Sequence, residues 1–189
     1  MTLKLPGLAG IAACLLGSVA PAAEPVPQVG DVAPDFTSKS LLTHEKVQLS
    51  AQRGRLVFLS FFASWCAPCR KEVPILEAVQ RRLRERARVL AVNFHENDEA
   101  AVRHWAHDNK LEMVIVEDYG GHIAQRYGVT AIPHLLIIGP DGRILQVHQG
   151  YSTDSLDDLV ADINEVLRST AAAAAAPDAA SATQSPAQP

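Results

Sequence analysis

Two cysteines stand two residues apart in Ser60-Phe61-Phe62-Ala63-Ser64-Trp65-Cys66-Ala67-Pro68-Cys69-Arg70-Lys71-Glu72. A pair at this spacing can open and close a disulfide with little movement, so the chemistry it offers is thiol–disulfide exchange. The residues around it read as the end of a buried strand, a sharp turn and the first turn of a helix. Cys66 then falls at a helix N-terminus, where backbone N–H groups and the helix dipole stabilise an anion. That enriches the thiolate, which is the nucleophile. Cys69, one turn further on, can resolve a mixed disulfide by attacking the Cys66 sulfur. Cys66 is expected to be exposed and Cys69 buried. The competing readings are half of a zinc site or a static disulfide. Zinc needs two further ligands, and no second cysteine pair exists. A static disulfide has no need of the apolar strand before it or of Pro68 within it.

The elements that must position this pair can be read from periodicity. Arg55–Phe62 is a continuous apolar run ahead of a helix, the pattern of a strand buried on both faces. A helix follows over 67–86, with Val73, Leu76, Val79 and Leu83 on one face and Pro74 expected to kink it. Ala87–Phe94 is a second buried strand. Asn97 and Asp98 start a helix that runs to about Asn109, and Met113–Glu117 reads as extended. A short helix covers His122–Tyr127 and ends at Gly128. His134–Ile138 and Arg143–Gln149 form a hairpin around Gly139-Pro140-Asp141-Gly142. Asp154 or Ser155 caps a last helix whose apolar face is Leu156, Leu159, Val160, Ile163 and Leu167. Two short strands, 36–38 and 47–49, precede all of these. Strand–helix–strand units imply parallel strands and the final hairpin adds antiparallel ones, so the class is α/β with a mixed sheet flanked by helices. The cysteine turn leaves the carboxyl end of a central strand, where open α/β sheets place their sites.

Both ends of the 189-residue chain differ from this middle. Residues 1–22 carry Lys4, an apolar run from Leu8 to Val19, and Ala20-Pro21-Ala22 as a cleavage signal, the layout of a secretory signal peptide. The run is too short for a membrane span of roughly 20 residues. Ile11-Ala12-Ala13-Cys14 supplies a second reading, a lipobox with Cys14 acylated, although the apolar run continues past it through Leu15, Leu16 and Val19. Retention as a membrane anchor is a third. Residues 169–189 are rich in Ala and Pro, hold the single charge Asp178, and read as disordered, the polyalanine being able to extend the last helix by a turn or two. The folded domain is therefore placed at 26–168. Beyond the signal only Cys66 and Cys69 remain, so an exported protein would have no structural disulfide framework and its one pair is free for catalysis. The net charge of −4 gives no argument for nucleic acid. The basic run Arg81–Arg88 sits where cations complement a helix C-terminus.

Trp65-Cys66-Ala67-Pro68-Cys69-Arg70-Lys71-Glu72, after its Phe-Phe-Ala-Ser strand end, resembles the thioredoxin fold. More closely, it is similar to the exported bacterial TlpA/ResA-like (AhpC/TSA-related) thiol–disulfide oxidoreductases. The other marks are Val-Gly-Asp-Val-Ala-Pro-Asp-Phe at 29–36, the helical segment inserted between Phe94 and Glu117, and Gly-Val-Thr-Ala-Ile-Pro at 128–133. The resemblance implies a thioredoxin-like domain with an N-terminal β-hairpin and a central helical insert. It implies a cis-proline at Pro133, with the backbone of Ile132 offered to an extended substrate, and Trp65, Ala67, Pro68 and His134 around it. Thioredoxin has a buried Asp six residues before its first cysteine as proton acceptor. Here that position is Ser60, which cannot act as a base. The resemblance puts Glu96, in Asn93-Phe94-His95-Glu96, forward for that role, against the alternative of a solvated loop carboxylate. His134 stands where Thr is usual, and is expected either near the sulfurs or bonded locally at the strand end.

What the resemblance implies about function is an exported, periplasmic enzyme that reduces envelope protein disulfides, those of apocytochrome c or copper-site cysteines. It would work through Cys66 and Cys69, without a cofactor and with a membrane electron donor. Membrane contact would come only through the N-terminus. A second reading is a copper-delivery protein using Cys66, Cys69 and His134. A third, a peroxidase related through the 29–36 opening, lacks the Pro and Thr that such sites carry before the cysteine.

Overall fold

The computed structural model describes residues 25–150 and 153–175. The signal reading of 1–22, Cys14 and the end of the chain beyond Ala175 lie outside the described residues. Two short antiparallel strands, β1 (Thr37–Lys39) and β2 (Lys46–Gln48), form a hairpin. Five more make one sheet: β3 (Leu56–Phe62), β4 (Ala87–Asn93), β5 (Val114–Val116), β6 (His134–Ile138) and β7 (Ile144–Gln149), in the order β5-β4-β3-β6-β7. β3 pairs parallel with β4 and antiparallel with β6, so the sheet is mixed and β3 is its centre. All seven residues of β3 are buried, as the unbroken apolar run requires of a strand covered on both faces.

Side chains alternate across the sheet and divide the core in two. On one face Phe58, Phe62, Val89, Ala91, Leu135 and Ile137 pack with Cys66, Cys69, Val73 and Leu76. On the other, Val57, Leu59, Phe61, Leu90, Val92, Leu136 and Ile138 pack with Phe36, Ile123 and Tyr127. The helices follow the predicted spacing with shifted ends. α1 (Cys69–Leu83) buries Val73 and Leu76 and holds Pro74 in its interior. It ends three residues short of the expected Arg86, in a 3-10 turn over Arg84–Arg86. α2 (Glu99–Asp108) is capped by Asp98, whose carboxylate accepts from the Ala101 N–H. Such a cap satisfies one of the free donors of the first turn. α3 (His122–Arg126) is seated by buried Asp118, which accepts from the N–H groups of Ile123 and Ala124 at 2.9 Å each.

α4 (Thr153–Ala175) carries five residues of the polyalanine run. Among its described side chains the buried ones are Leu159, Ile163 and Val166, and Leu156, also expected on the apolar face, lies outside them. Val160, expected on the apolar face, is 41% exposed. The buried stripe runs through Leu159, Ile163 and Val166 at a 4,3 spacing; Val160, Ile163 and Leu167 fit the helical period equally well, so packing rather than period leaves Val160 outside it.

Candidate active site

β3 delivers the cysteine turn. The Cys66 N–H bonds to the Ala63 carbonyl and the Arg70 N–H to the Cys66 carbonyl, so the chain coils directly from strand into α1. Cys66 and Cys69 form a disulfide with their Cα atoms 5.3 Å apart. The Cys69 N–H points at the Cys66 Sγ at 3.2 Å. The helix start thus supplies a donor to the sulfur that must carry negative charge when the bond opens. Cys69 is buried at 1% exposure, as expected, but so is Cys66, at 5%. The correction has a simple cause. The disulfide turns the Cys66 sulfur inward toward Cys69, and it is Trp65, 60% exposed, and Ala67 that face solvent around it. Pro68 is half-buried and occupies the N-cap position of α1.

The Ile132–Pro133 peptide bond is cis. β3–β6 pairing runs to Phe61 opposite His134, so Pro133 lies one step beyond, where β3 gives way to the cysteine turn. The Pro133 carbonyl accepts from Gly150. Among the described residues, nothing bonds the Ile132 N–H or carbonyl.

His134 is not with the sulfurs. It takes the sheet face of Leu136 and Phe61, with its ring edge-on to Phe61 at 6.0 Å, and lines a cavity of about 330 Å³ with Tyr127 and Val147. The cysteines belong to the opposite face. One residue of strand alternation accounts for this, and the trio Cys66, Cys69 and His134 is not assembled. Burial pushes the His134 imidazole below its ordinary pKa.

Glu96 does reach the site, in a different posture from a free base. Its carboxylate accepts from the Ser64 N–H at 2.8 Å, from the Ser64 hydroxyl, and from Asn93 Nδ2 at 3.0 Å. It is half-buried and pins the backbone two residues before Cys66.

The carboxylate that sequence reasoning missed is Glu72. It is 6% exposed, one helical turn beyond Cys69, and its Oε1 accepts from the Ser60 hydroxyl at 2.9 Å. Burial pushes its carboxyl up to about 7, and the Ser60 bond holds it down. The signal was present: positions 72, 76, 79 and 83 continue a 4,3,4 helical stripe, so Glu72 shares the apolar face. A carboxylate absent from the strand at Ser60 is supplied by the facing helix.

These features agree with the chain's relatives. Residues 29–147 match the AhpC/TSA family. The chain is 38% identical over 128 residues to the thioredoxin-like protein YneN of Bacillus subtilis, covering 67% of this chain and 74% of that one. It is 32% identical over 127 residues to the thiol-disulfide oxidoreductase ResA of Bacillus thuringiensis subsp. konkukian, covering 67% and 72%. Among solved structures, one assigned as the thiol:disulfide interchange protein DsbE of Chlorobium tepidum superposes with a TM-score of 0.68 at 29% identity, over 75% of this chain and 99% of that one. StoA of Bacillus subtilis gives 0.56 at 25% identity, over 67% and 96%. With the fold, the disulfide and these relatives together, the chain belongs to the AhpC/TSA family and is a thiol–disulfide oxidoreductase of the ResA and DsbE type on a thioredoxin-like fold.

Proposed function

We propose that the protein is an exported reductant of disulfides in envelope proteins, with apocytochrome c or copper-site cysteine pairs as the substrate class. The observation that carries the chemistry is the buried carboxyl of Glu72 one turn from Cys69, behind a disulfide whose outer sulfur is met by a helix-start N–H. In the reduced enzyme the Cys66 thiolate attacks a substrate disulfide, forming a mixed disulfide and releasing one substrate thiolate. Glu72 accepts the Cys69 proton. The Cys69 thiolate then attacks the Cys66 sulfur, closing Cys66–Cys69 and releasing the second substrate thiolate. Two electrons pass to the substrate, and a membrane dithiol donor must return them. The neutral Ala67-Pro68 pair and the likeness to ResA support the reducing direction. The Ile132 backbone, unbonded among the described residues, supports an extended peptide as the substrate, with Trp65, Ala67, Pro68 and His134 as its further contacts.

Export rests on residues 1–22, with 26–168 as the mature folded domain and a tail after it. Among the described residues no helix is long and apolar enough to cross a membrane. Two experiments test this. Cys66→Ser is expected to abolish insulin reduction, and a wild-type rate in that variant overturns the mechanism. Cys69→Ser is expected to strand an envelope protein on Cys66; recovery of cytoplasmic partners alone overturns the location.

A further inference from the structure

Ser60 stands on β3 at 1% exposure, at the centre of the sheet, with its hydroxyl donating to Glu72 on α1 at 2.9 Å. Among the described residues this is the only hydrogen bond made by the Glu72 side chain. A buried carboxyl with one partner depends on that partner for its position and for its solvation. We propose that Ser60 is the positioning residue of the resolving half-reaction, holding Glu72 one helical turn from Cys69 in both of the charge states it must pass through. The proposal rests on the reading of Glu72 as the Cys69 proton acceptor.

A serine hydroxyl is donor and acceptor at once. It donates to Glu72 while the carboxylate is ionised. When Glu72 has taken the Cys69 proton, the hydroxyl rotates and accepts from the new O–H. In either state the hydroxyl gives the facing carboxyl oxygen a partner. Alanine at position 60 would leave the carboxylate unpartnered. Aspartate there, across the same 2.9 Å gap, would place two carboxyls in contact sharing one proton, and their titration would belong to the pair. With the acid on the helix, serine on the strand keeps the gap at one carboxyl.

The proton balance follows. Cys69 S–H gives its proton to the Glu72 carboxylate, and the Glu72 O–H then hydrogen-bonds to Ser60 Oγ. The Cys69 thiolate forms the new S–S bond as the substrate–Cys66 bond breaks. Glu72 releases the proton to the departing thiolate or to water, and Ser60 resumes donating.

The test is the pH dependence of single-turnover insulin reduction by the full reduced chain, between pH 5 and 9, in wild type, Ser60→Ala, Ser60→Thr and Glu72→Gln. Ser60→Ala is expected to move the acid limb up by about one pH unit. The rate at pH 6 then falls roughly tenfold while the alkaline plateau is kept. Ser60→Thr, which retains the hydroxyl, is expected to restore the wild-type limb. Isotope-edited infrared titration of the Glu72 carboxyl in the oxidised proteins should show the same upward move in Ser60→Ala, and Ser60→Gly serves if the alanine variant fails to fold. A Ser60→Ala limb that superimposes on wild type, while Glu72→Gln loses the limb, overturns the proposal and leaves the proton-acceptor role of Glu72 standing. A limb that survives in Glu72→Gln overturns both.

Discussion

Glu72 and Glu96 flank the same cysteine turn and are held in opposite ways. Glu96 comes from the segment after β4 and meets three donors, Ser64 N–H, Ser64 Oγ–H and Asn93 Nδ2–H, at the half-exposed rim. Glu72 comes from α1, is 6% exposed and meets one hydroxyl. A carboxylate with several donors is an anchor, because every partner loses if it moves. A desolvated carboxylate with one amphoteric partner is poised to change charge. Counting donors against burial therefore separates the group that shapes the turn from the group that can move a proton.

The contrast is sharpest in kinetics. Glu72→Gln keeps the shape and removes the acceptor, and the resolving step near pH 7 should slow by about 100- to 1,000-fold, within the usual span of general acid–base contributions. Stopped-flow decay of the mixed disulfide measures it. A fall of less than about threefold would make Glu72 a passive core residue.

The same burial has a thermodynamic signature. Glu72 in the folded protein titrates at about 7 against an ordinary value of 4.5, so the folded state holds its proton to higher pH than the unfolded chain. Stability from this group is full below about 4.5 and is lost as pH rises through about 7. The shift corresponds to on the order of 3 kcal/mol. Relative to Glu72→Gln, urea midpoints of the oxidised wild type should fall as pH rises over that window. Equal slopes in the two proteins would refute the assignment.

Glu96→Gln should behave otherwise. It weakens two or three bonds to the turn, and a uniform loss of about tenfold in exchange rate is expected at every pH, with about 1–2 kcal/mol of stability. A loss confined to one end of the pH range would collapse the distinction between anchor and acceptor.

Much of this was open to the sequence. The strand, the cysteine turn, the helix after it and cis-Pro133 all follow from local spacing and a recognisable pattern. β6 and α3 begin where His134 and His122 put them. The anchoring role of Glu96 was not visible, because its donors lie on both sides of a loop whose path only the fold determines. Glu72 was hidden by its type. A charged residue on a helix reads as solvent-facing, and only its place in the stripe with Leu76 and Val79 contradicted that. The burial of Cys66 depends on the sulfur's direction, which backbone periodicity does not encode. Val160 went astray because two valines competed for one face of α4, and the packing, not the period, decided.

His134 supplies the smallest expected effect and a check on the two-faced core. Its ring is edge-on to Phe61 and shares a core face with Tyr127, while both cysteines pack on the other side of the sheet. His134→Thr should therefore leave insulin reduction within about twofold of wild type and leave Cu(I) binding by the reduced protein unchanged. A larger change in either would return the ring to the sulfurs. Its effect belongs in stability at acid pH. Burial lowers the folded-state pKa below the ordinary 6.5, so the unfolded chain takes up the proton first. The folded protein loses stability as pH falls below about 6.5, and His134→Thr should lessen that loss. The sign is opposite to that of Glu72 where the two ranges overlap, so the wild-type fall is shallower there than Glu72 alone would give. Only the two single variants, measured side by side, separate the contributions of the two faces.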